Sequence, residues 1–508
     1  MVNNMQNNTL EMDTKIQNFF RNKKVFVTGG TGFLGKVFIE KLLRTTDVQH
    51  VYVLARAKRG TCAKDRFAKI LNDPLFEKLH AVRPNPMEYI TTIEGDCALT
   101  KLGISDEDRN ELIEEVDVII HCAATVRFNE PLSNATQINV AATRDILELA
   151  KKMKHLKSFV HVSSAFANCI ITNAEEKFYS QHLGITSDEL LNLKDKLSKE
   201  EFDAKEKELL GEFPNTYCFT KSVAEEAVQK CGNSLPICIF RPGIILAVSE
   251  DPIPGWVDNL YGPNSIVYGC GYGVLRVMYA RPNQNAAYVP VDYCANVMMA
   301  CAWETATSIM QKPHKEPRIY TLVPHKTNEL DWGTFKNYTV EHGFKMPLPN
   351  MIWYPMLLFA ETYYGYKLLT FLYHTLPGYL IDFVLLLMGK PTRMTKTYKK
   401  IHSQCGMLRY FLAFDFTFDM TNCYNLWDSM STEDRKLYNF DMAKLDWNKY
   451  FYFNIQGMRR FVAKEDPETI PQGKKMLKIF RTLNIIVHGL FIAGMAWLVW
   501  GLLKFIFL

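Results

Sequence analysis

Tyr217 and Lys221 stand one helical turn apart in the string YCFTK, a spacing that puts a phenol and an ammonium on one face of a helix. A cation held beside a phenol lowers its pKa toward the range of a working general acid or base. Such pairs are common on solvated helix surfaces, so the string needs a chemical setting. That setting lies far upstream, where residues 28–35 read TGGTGFLG.

The glycine turn is framed by an apolar, β-branched run, KVFVT at Lys24–Thr28, and by a helically periodic run, KVFIEKLL at residues 36–43. Strand, glycine turn and helix together aim backbone N–H groups and a helix N-terminus at a pyrophosphate. The glycines are spaced GxxGxxG rather than GxGxxG, and Thr28, Gly29, Gly32, Phe33, Leu34 and Gly35 are the candidate dinucleotide contacts. The next strand, HVYVL from His50, ends in Ala55 and Arg56, with Lys58 and Arg59 close by and no acid directly after it. An acid here would select NAD, whereas Arg56 suits the 2′-phosphate, so NADPH is the expected cofactor.

Two further strand ends, IEGD at residues 93–96 and DVIIHCAA at 117–124, belong to the same sheet pattern. Loops at carboxyl ends of parallel strands line the cofactor crevice. Asp96 is therefore a candidate for the adenine edge or else a turn residue, and Ala123 a candidate for close cofactor approach or else a packing choice. The strand SFVHV at Ser158–Val162 delivers Ser163 and Ser164 to the same edge.

These residues carry a family resemblance. The chain resembles the extended short-chain dehydrogenase/reductases and, more narrowly, the eukaryotic fatty acyl-CoA reductases of the insect-like branch. The narrower likeness rests on TGGTGFLGKVFIEKLLR from Thr28, HCAATVRFNEPL from His121, VHVSSAFAN from Val160, FRPGII from Phe240, PGWVDNLYGP from Pro254, GYGVLRVM from Gly271, VPVDYCAN from Val289 and the later MGKPTRM. The resemblance implies that Tyr217 is the proton donor and Lys221 its pKa partner and ribose holder. It implies a serine hydroxyl beside them, Ser164 in preference to Ser163, and an approach of Pro242 and Gly243 to the nicotinamide. It further implies reduction of a long-chain acyl-CoA through an aldehyde to a primary alcohol. A sterol or sugar-nucleotide dehydrogenase or epimerase of the same superfamily, or a non-catalytic NADP- or lipid-binding membrane protein, are the alternatives.

Composition bounds the remaining classes. The chain has 508 residues, 48% apolar and 22% charged, with a net charge of +5; this is globular, too long for one ordinary domain, and not basic enough to announce nucleic acid. No pair among the 12 cysteines has the spacing of a zinc or redox site, so no metal is expected. The first twenty residues lack an apolar leader segment.

The expected organisation is a flexible stretch at 1–18, a doubly wound parallel α/β (Rossmann-type) catalytic domain at 19–325 with a charged helical insertion at 175–210, a helical C-terminal domain at 326–470, and a transmembrane segment at 482–508. The insertion is either a solvated helical face or a cap on the acyl channel. Residues 254–278 are a candidate substrate wall, with Arg276 reaching either a CoA phosphate or a structural salt bridge. Residues 352–388 are rich in aromatic and aliphatic side chains but interrupted by Pro355, Gly365, Pro377 and Gly378, which leaves a buried acyl cap and a membrane-contacting segment both open. The final 27 residues exceed the roughly 20 that a bilayer needs, and Lys474, Lys475, Lys478 and Arg481 precede them. That flank predicts a tail anchor in an endoplasmic reticulum or peroxisomal membrane with the enzyme facing the cytosol. The expected partners are thus a long-chain acyl-CoA and a lipid bilayer.

Overall fold

The five strands expected from apolar runs, β1 (Lys24–Thr28), β2 (His50–Ala55), β3 (Ile90–Glu94), β4 (Val118–His121) and β5 (Ser158–Val162), are joined by two that the sequence did not mark as strands, β6 (Ile237–Pro242) and β7 (Arg318–Leu322), in a seven-stranded, wholly parallel sheet. This is seen in a computed structural model that describes residues 14–58, 60–232, 234–311 and 316–507; Arg59, Leu508 and residues 1–13 lie outside the described residues. The order across the sheet is β7-β6-β5-β4-β1-β2-β3. Nearly every residue of β1, β2, β4, β5 and β6 is buried, which requires cover on both faces and explains their continuous apolar character. One face packs Phe26, Ile119, Phe159 and Ile239 against Ile146, Leu147, Ala227 and Val228 from covering helices.

Three helices matter for the site: α1 (Phe33–Thr45), α2 (Thr216–Cys231) and α3 (Val291–Gln311). Strand β1 has β2 on one side and β4 on the other, so the chain reverses its direction of winding there. In open parallel sheets that switch point is where the crevice for a ligand opens, beyond the carboxyl ends of the strands.

The 175–210 insertion folds as three short helices, Ser187–Lys196, Lys199–Ala204 and Glu206–Leu210. Thr186 with Glu189 and Ser198 with Glu201 form reciprocal capping boxes at the first two. The insertion is tied to α2, because the Ser187 amide donates to the Glu226 carboxylate at 2.9 Å and Lys230 pairs with Asp188 at 2.8 Å.

The described chain separates into two compact units that interleave in sequence, where the sequence pattern suggests one boundary near residue 325. The first holds the described residues up to Ile245, with Val289–Pro324 and Thr417–Ala443; the second holds Leu246–Tyr288, His325–Phe416 and residues 444–507. Residues 417–443 join the first unit through specific bonds: Thr417–Phe418 pairs with Asn173–Ala174 as a short parallel ladder, and the Asn422 amide nitrogen of the side chain donates to the Ile319 carbonyl at 2.9 Å.

Within the second unit, the aromatic run from Trp447 lies on helix Trp447–Gly457 and packs Phe451 against Phe335 at 5.6 Å. Gly255 and Gly457 bring their backbones together so closely that a Cβ on Gly457 would sit 1.6 Å from the Gly255 carbonyl oxygen. Three long helices complete this unit: α4 (Tyr363–Leu387), α5 (Met394–Ala413) and α6 (Ile470–Phe507). Gly365, Pro377 and Gly378 do not break α4, contrary to their reading as interruptions. A π-type turn at Phe371–Thr375 widens the helix just before Pro377 and accommodates the missing N–H. The apolar part of α6 is long enough to cross a bilayer and none of it is buried.

Candidate active site

The glycine turn connects β1 to α1 with very little spare volume. Gly29 has φ +74°, and a Cβ there would lie 2.7 Å from the Ala123 nitrogen and 2.8 Å from the Cys122 carbonyl carbon. Both contacts are backbone and cannot move aside, so the turn requires glycine and holds Ala123 against it. At Gly35 a Cβ would come within 2.3 Å of the Gly29 oxygen, whereas at Gly32 the nearest atom would be 3.1 Å away. Gly32 is the N-cap of α1 and brings no side chain of its own to the helix end. The amides of Phe33, Leu34 and Gly35 and the positive end of the helix are the natural seat for a pyrophosphate.

Thr28 is fixed by His121. The Thr143 hydroxyl spends its proton on the Asn139 carbonyl at 2.7 Å, so His121 Nε2 must donate to Thr143 at 3.0 Å. His121 Nδ1 then accepts from the Thr28 hydroxyl at 2.6 Å. Burial lowers the His121 pKa to about 3, aided by nearby Lys221, which keeps this ring neutral and in one tautomer.

Arg56 directly follows β2 and donates to Asp96 at 3.3 Å. Asp96 also accepts the Ala98 amide at 3.0 Å, so it serves the turn after β3 as well as the arginine. Arg66, which the sequence did not single out, donates to the Arg56 carbonyl at 3.0 Å and reaches Thr31 of the glycine turn at 3.5 Å. Burial, then the neighbouring Arg56 charge, lowers its pKa. Lys36, Lys58 and Lys69 join Arg66 in lining a cavity of about 710 Å³ beside the turn. The signal for Arg66 was its place on helix Ala63–Ile70, directly after the basic loop.

At the other side of the switch point, the Ser164 side chain is set beside the Tyr217 phenol and acts to lower its pKa. The Ser164 oxygen also accepts the Phe166 amide at 3.2 Å. Ser163, by contrast, is buried with no hydrogen-bond partner for its hydroxyl among the described residues. Tyr217 is half-buried, and desolvation raises the phenol pKa above its ordinary value, opposed by the Ser164 side chain. Its ring stacks on Phe128 at 5.9 Å.

Lys221 is buried and donates its Nζ to the Val162 carbonyl at 2.8 Å, at the end of β5. Burial lowers its pKa to about 8, while Cys122 and Glu225 act in the opposite sense. The pair therefore differs from the simple expectation of a cation lowering a phenol: here desolvation dominates both groups, and the ammonium is engaged by a carbonyl.

The rest of α2 is equally constrained. Asn139, from a π-type turn at Thr136–Ala141, donates to Thr220 at 2.9 Å and accepts the Thr125 amide at 2.9 Å. Glu225 receives Arg241 through Nε at 2.8 Å and Nη2 at 2.6 Å, with both side chains almost fully buried. Neither Asn139 nor this ion pair was legible as a functional group in the sequence. Pro242 closes β6, and the Gly243 amide donates to the Leu322 carbonyl of β7 at 2.8 Å. Burial pushes the Cys122 thiol up to about 12 and raises Cys218 further from the thiolate range, which leaves neither poised as a nucleophile.

Arg276 belongs to the second unit. It is buried there and donates to the Tyr398 hydroxyl at 2.7 Å, rather than to a carboxylate as a salt bridge would require.

Comparison with known proteins places this geometry in a family. An NAD-binding model described as male sterility protein matches residues 27–298, and a second model of the same description matches residues 373–465. The chain is 40% identical over 492 residues to fatty acyl-CoA reductase wat of Drosophila melanogaster, covering 97% of this chain and 94% of that one. It is 35% identical to fatty acyl-CoA reductase 2 of Bos taurus, covering 96% and 92%. Among solved structures, the terminal R domain of the myxalamid PKS-NRPS pathway matches with TM-score 0.53 at 18% identity, covering 87% of this chain and 91% of that one. The reductase domain of a nonribosomal peptide synthetase from Mycobacterium tuberculosis matches with TM-score 0.55 at 17% identity, covering 86% and 92%; these two likenesses concern the fold. The shared sequence along almost the whole length makes this chain a member of the fatty acyl-CoA reductase family.

Proposed function

We propose that the protein reduces long-chain acyl-CoA to the primary alcohol and free CoA, at the expense of two NADPH and two protons. The observation that carries this reading is the placing of Ser164 beside Tyr217 at the carboxyl edge of the sheet, with Tyr217 on the helix that also holds buried Lys221. The residues fit a dinucleotide: Gly29 and Gly35 admit no side chain, α1 starts at a glycine N-cap, and Arg66 lies between Arg56 and Thr31. Thr28, Gly29, Gly32, Phe33, Leu34, Gly35 and Ala123 would hold the pyrophosphate side, Arg56 and Arg66 the 2′-phosphate, Asp96 the adenosine edge, and Lys221, Pro242 and Gly243 the nicotinamide riboside. When bound, NADPH supplies the hydride.

Ser164 and Tyr217 then act on the carbonyl oxygen of the thioester. Two hydroxyl donors aimed at that oxygen stabilise the negative charge that grows as the carbon is reduced. A phenol whose pKa is raised keeps its proton until the charge appears, which suits Tyr217 to the donor role in the reductive direction. The resulting hemithioacetal returns its hydroxyl proton to the Tyr217 phenolate as its C–S bond breaks and the carbonyl re-forms, giving the aldehyde and CoA thiolate, which takes a proton from solvent. The same donors serve the second reduction, in which the aldehyde oxygen takes the Tyr217 proton and leaves as the alcohol. The apolar part of α6 would hold the enzyme in an endoplasmic reticulum or peroxisomal membrane, its basic flank at the cytosolic side.

The test is full-length protein in detergent micelles with NADPH and palmitoyl-CoA, following NADPH loss, thiol release and alcohol. The expected result is all three for wild type, and for Tyr217→Phe a rate at least about 10²-fold lower with NADPH binding retained. No turnover at any acyl length, together with oxidation of a sterol by NAD(P), would overturn the reading.

A further inference from the structure

Helix α4 is built inside out. Its residues spaced by four, Thr370, His374, Gly378 and Asp382, point into the second unit and are buried, whereas Leu368, Phe371, Tyr379, Phe383, Leu386 and Leu387 point outward with half or more of their surface exposed. The inward polar groups all have assignments. His374 Nε2 accepts the Arg276 amide at 2.9 Å, so its Nδ1 carries the proton toward His402 Nε2 at 3.1 Å. Gly378 lets the Tyr398 ring approach, and a Cβ would lie 2.9 Å from it. Asp382 caps α5 by accepting the Arg393, Met394 and Thr395 amides, each at 2.9 Å. A helix in water turns its apolar stripe inward; α4 turns it outward over a continuous face, the arrangement expected where the outer medium is hydrocarbon.

Two further observations identify that medium. First, α4 is bonded to the apolar helix α6. His488 Nδ1 faces its own-helix carbonyl of Asn484 at 2.7 Å and must donate to it, so its Nε2 accepts the Tyr373 hydroxyl at 3.0 Å. Trp353, just before α4, donates to the Asn484 side chain at 3.0 Å. The polar residues near the start of the apolar span are thus matched to α4 and its approach, which sets α4 alongside the point where α6 leaves the protein. Second, charge follows the apolar face closely. Lys390, Arg393, Lys396, Lys399 and Lys400 are exposed on the connection and on α5, and no Asp or Glu stands between Asp382 and Asp415. Charged side chains are costly in the bilayer core, so α5 cannot follow α4 into hydrocarbon.

We infer that α4 is a second membrane element, lying in the plane of the leaflet with its outer face in the acyl region, while the basic residues of α5 bind anionic phospholipid headgroups. An in-plane helix of this kind is held by apolar burial and by attraction of Lys and Arg to anionic lipid. The inference rests on α6 being the membrane anchor, and extends the contact from a single crossing helix to a docked face.

The experiment uses the full-length protein reconstituted into phosphatidylcholine vesicles, with or without about 30% phosphatidylserine, carrying a phosphatidylcholine with a photoactivatable acyl chain. Cross-linked residues are mapped by peptide mass spectrometry. Adducts are expected on the outer face of α4, at residues such as Phe371, Tyr379, Phe383 and Leu386, as well as on residues 485–503. The α4 yield should rise about threefold or more with phosphatidylserine, and Lys396→Gln/Lys399→Gln/Lys400→Gln should remove that rise without changing adducts on 485–503. Adducts confined to 485–503 would overturn the inference and leave the anchor standing; their absence from 485–503 as well would overturn the anchor itself. A yield on α4 indifferent to phosphatidylserine would overturn the headgroup recognition.

Discussion

Gly32→Ala separates what the glycine turn owes to packing from what it owes to a cofactor. Gly32 has φ −86° and ψ 174°, a conformation open to any residue, and an added Cβ would meet only the Gly29 oxygen at 3.1 Å. Exchanging glycine for alanine at an N-cap costs roughly 0.5–1 kcal/mol, so the folded state should survive with little loss. The same Cβ would stand at the N-cap of α1, where a pyrophosphate must come close to the backbone. Losing one charge-assisted hydrogen bond there costs about 1.5–3 kcal/mol, or roughly 10- to 100-fold in NADPH affinity. Gly35→Ala is the contrasting variant, since its Cβ would be 2.3 Å from the Gly29 oxygen and the turn itself must open. The measurements are urea unfolding and NADPH fluorescence titration on micelle-solubilised full-length protein. Gly32→Ala should unfold near wild type yet bind at least about 10-fold more weakly, while Gly35→Ala should fail in both. Unchanged affinity in Gly32→Ala would refute the placement of the pyrophosphate over this helix end.

Arg66→Gln should weaken NADPH about 10-fold and leave NADH unaffected, and equal losses for the two cofactors in parallel titrations would remove Arg66 from the 2′-phosphate. Lys221 makes a pH prediction for the cofactor-free protein: its pKa falls from 10.5 to about 8 on folding, so between these values the unfolded chain holds the extra proton. Stability should therefore rise with pH through that window, by up to about 1.4 kcal/mol per unit, and a difference curve against Lys221→Met that is flat or falling would contradict the assignment. Glu225→Gln, which leaves Arg241 buried without its counter-charge, should cost about 3–5 kcal/mol. Pairing Glu225→Leu with Arg241→Leu should cost less than the sum of the two single changes, and strict additivity in unfolding measurements would dissolve the pair.

Local pattern made much of the first unit readable. Residues 24–28 and 158–162 are short, apolar and β-branched, and a strand buried on both faces needs nothing else to declare itself. The glycine turn was readable because its constraint is steric and local. What escaped were residues whose roles depend on distant partners: Arg66 is meaningful only because β2 and the turn converge on it, and Asn139 only because Thr125 and Thr220 flank it. The inverted face of α4 escaped for another reason. Its composition reads as apolar all round until the fold shows that the few polar residues, at intervals of four, are the ones turned inward. The interleaving of the units escaped too, since residues 417–443 join the first through bonds such as Asn422 to Ile319 that no local periodicity encodes.

The Tyr217–Lys221 spacing acquires a different meaning in the structure. If Lys221 acted only by its charge on the phenol, its ammonium would be free to face Tyr217; instead Nζ is bound to the Val162 carbonyl, two residues before Ser164. Ser164 in turn stands beside the Tyr217 phenol. The strand end and the helix are thereby joined in a short closed circuit, in which Lys221 sets the height of the strand end and the strand end sets the hydroxyl that meets the phenol. Along α2 each successive turn is fastened to a separate element: Thr220 to Asn139 at 2.9 Å, Ser222 to Asn168 at 2.6 Å, Glu225 to Arg241 at 2.6 Å. A helix held at so many points cannot slide along the sheet without breaking several buried bonds together. Donors that must meet a developing oxyanion to within about 0.5 Å need this kind of over-determination, so in the proposed mechanism the residues that hold α2 in register would contribute to the rate by fixing where Tyr217 gives up its proton.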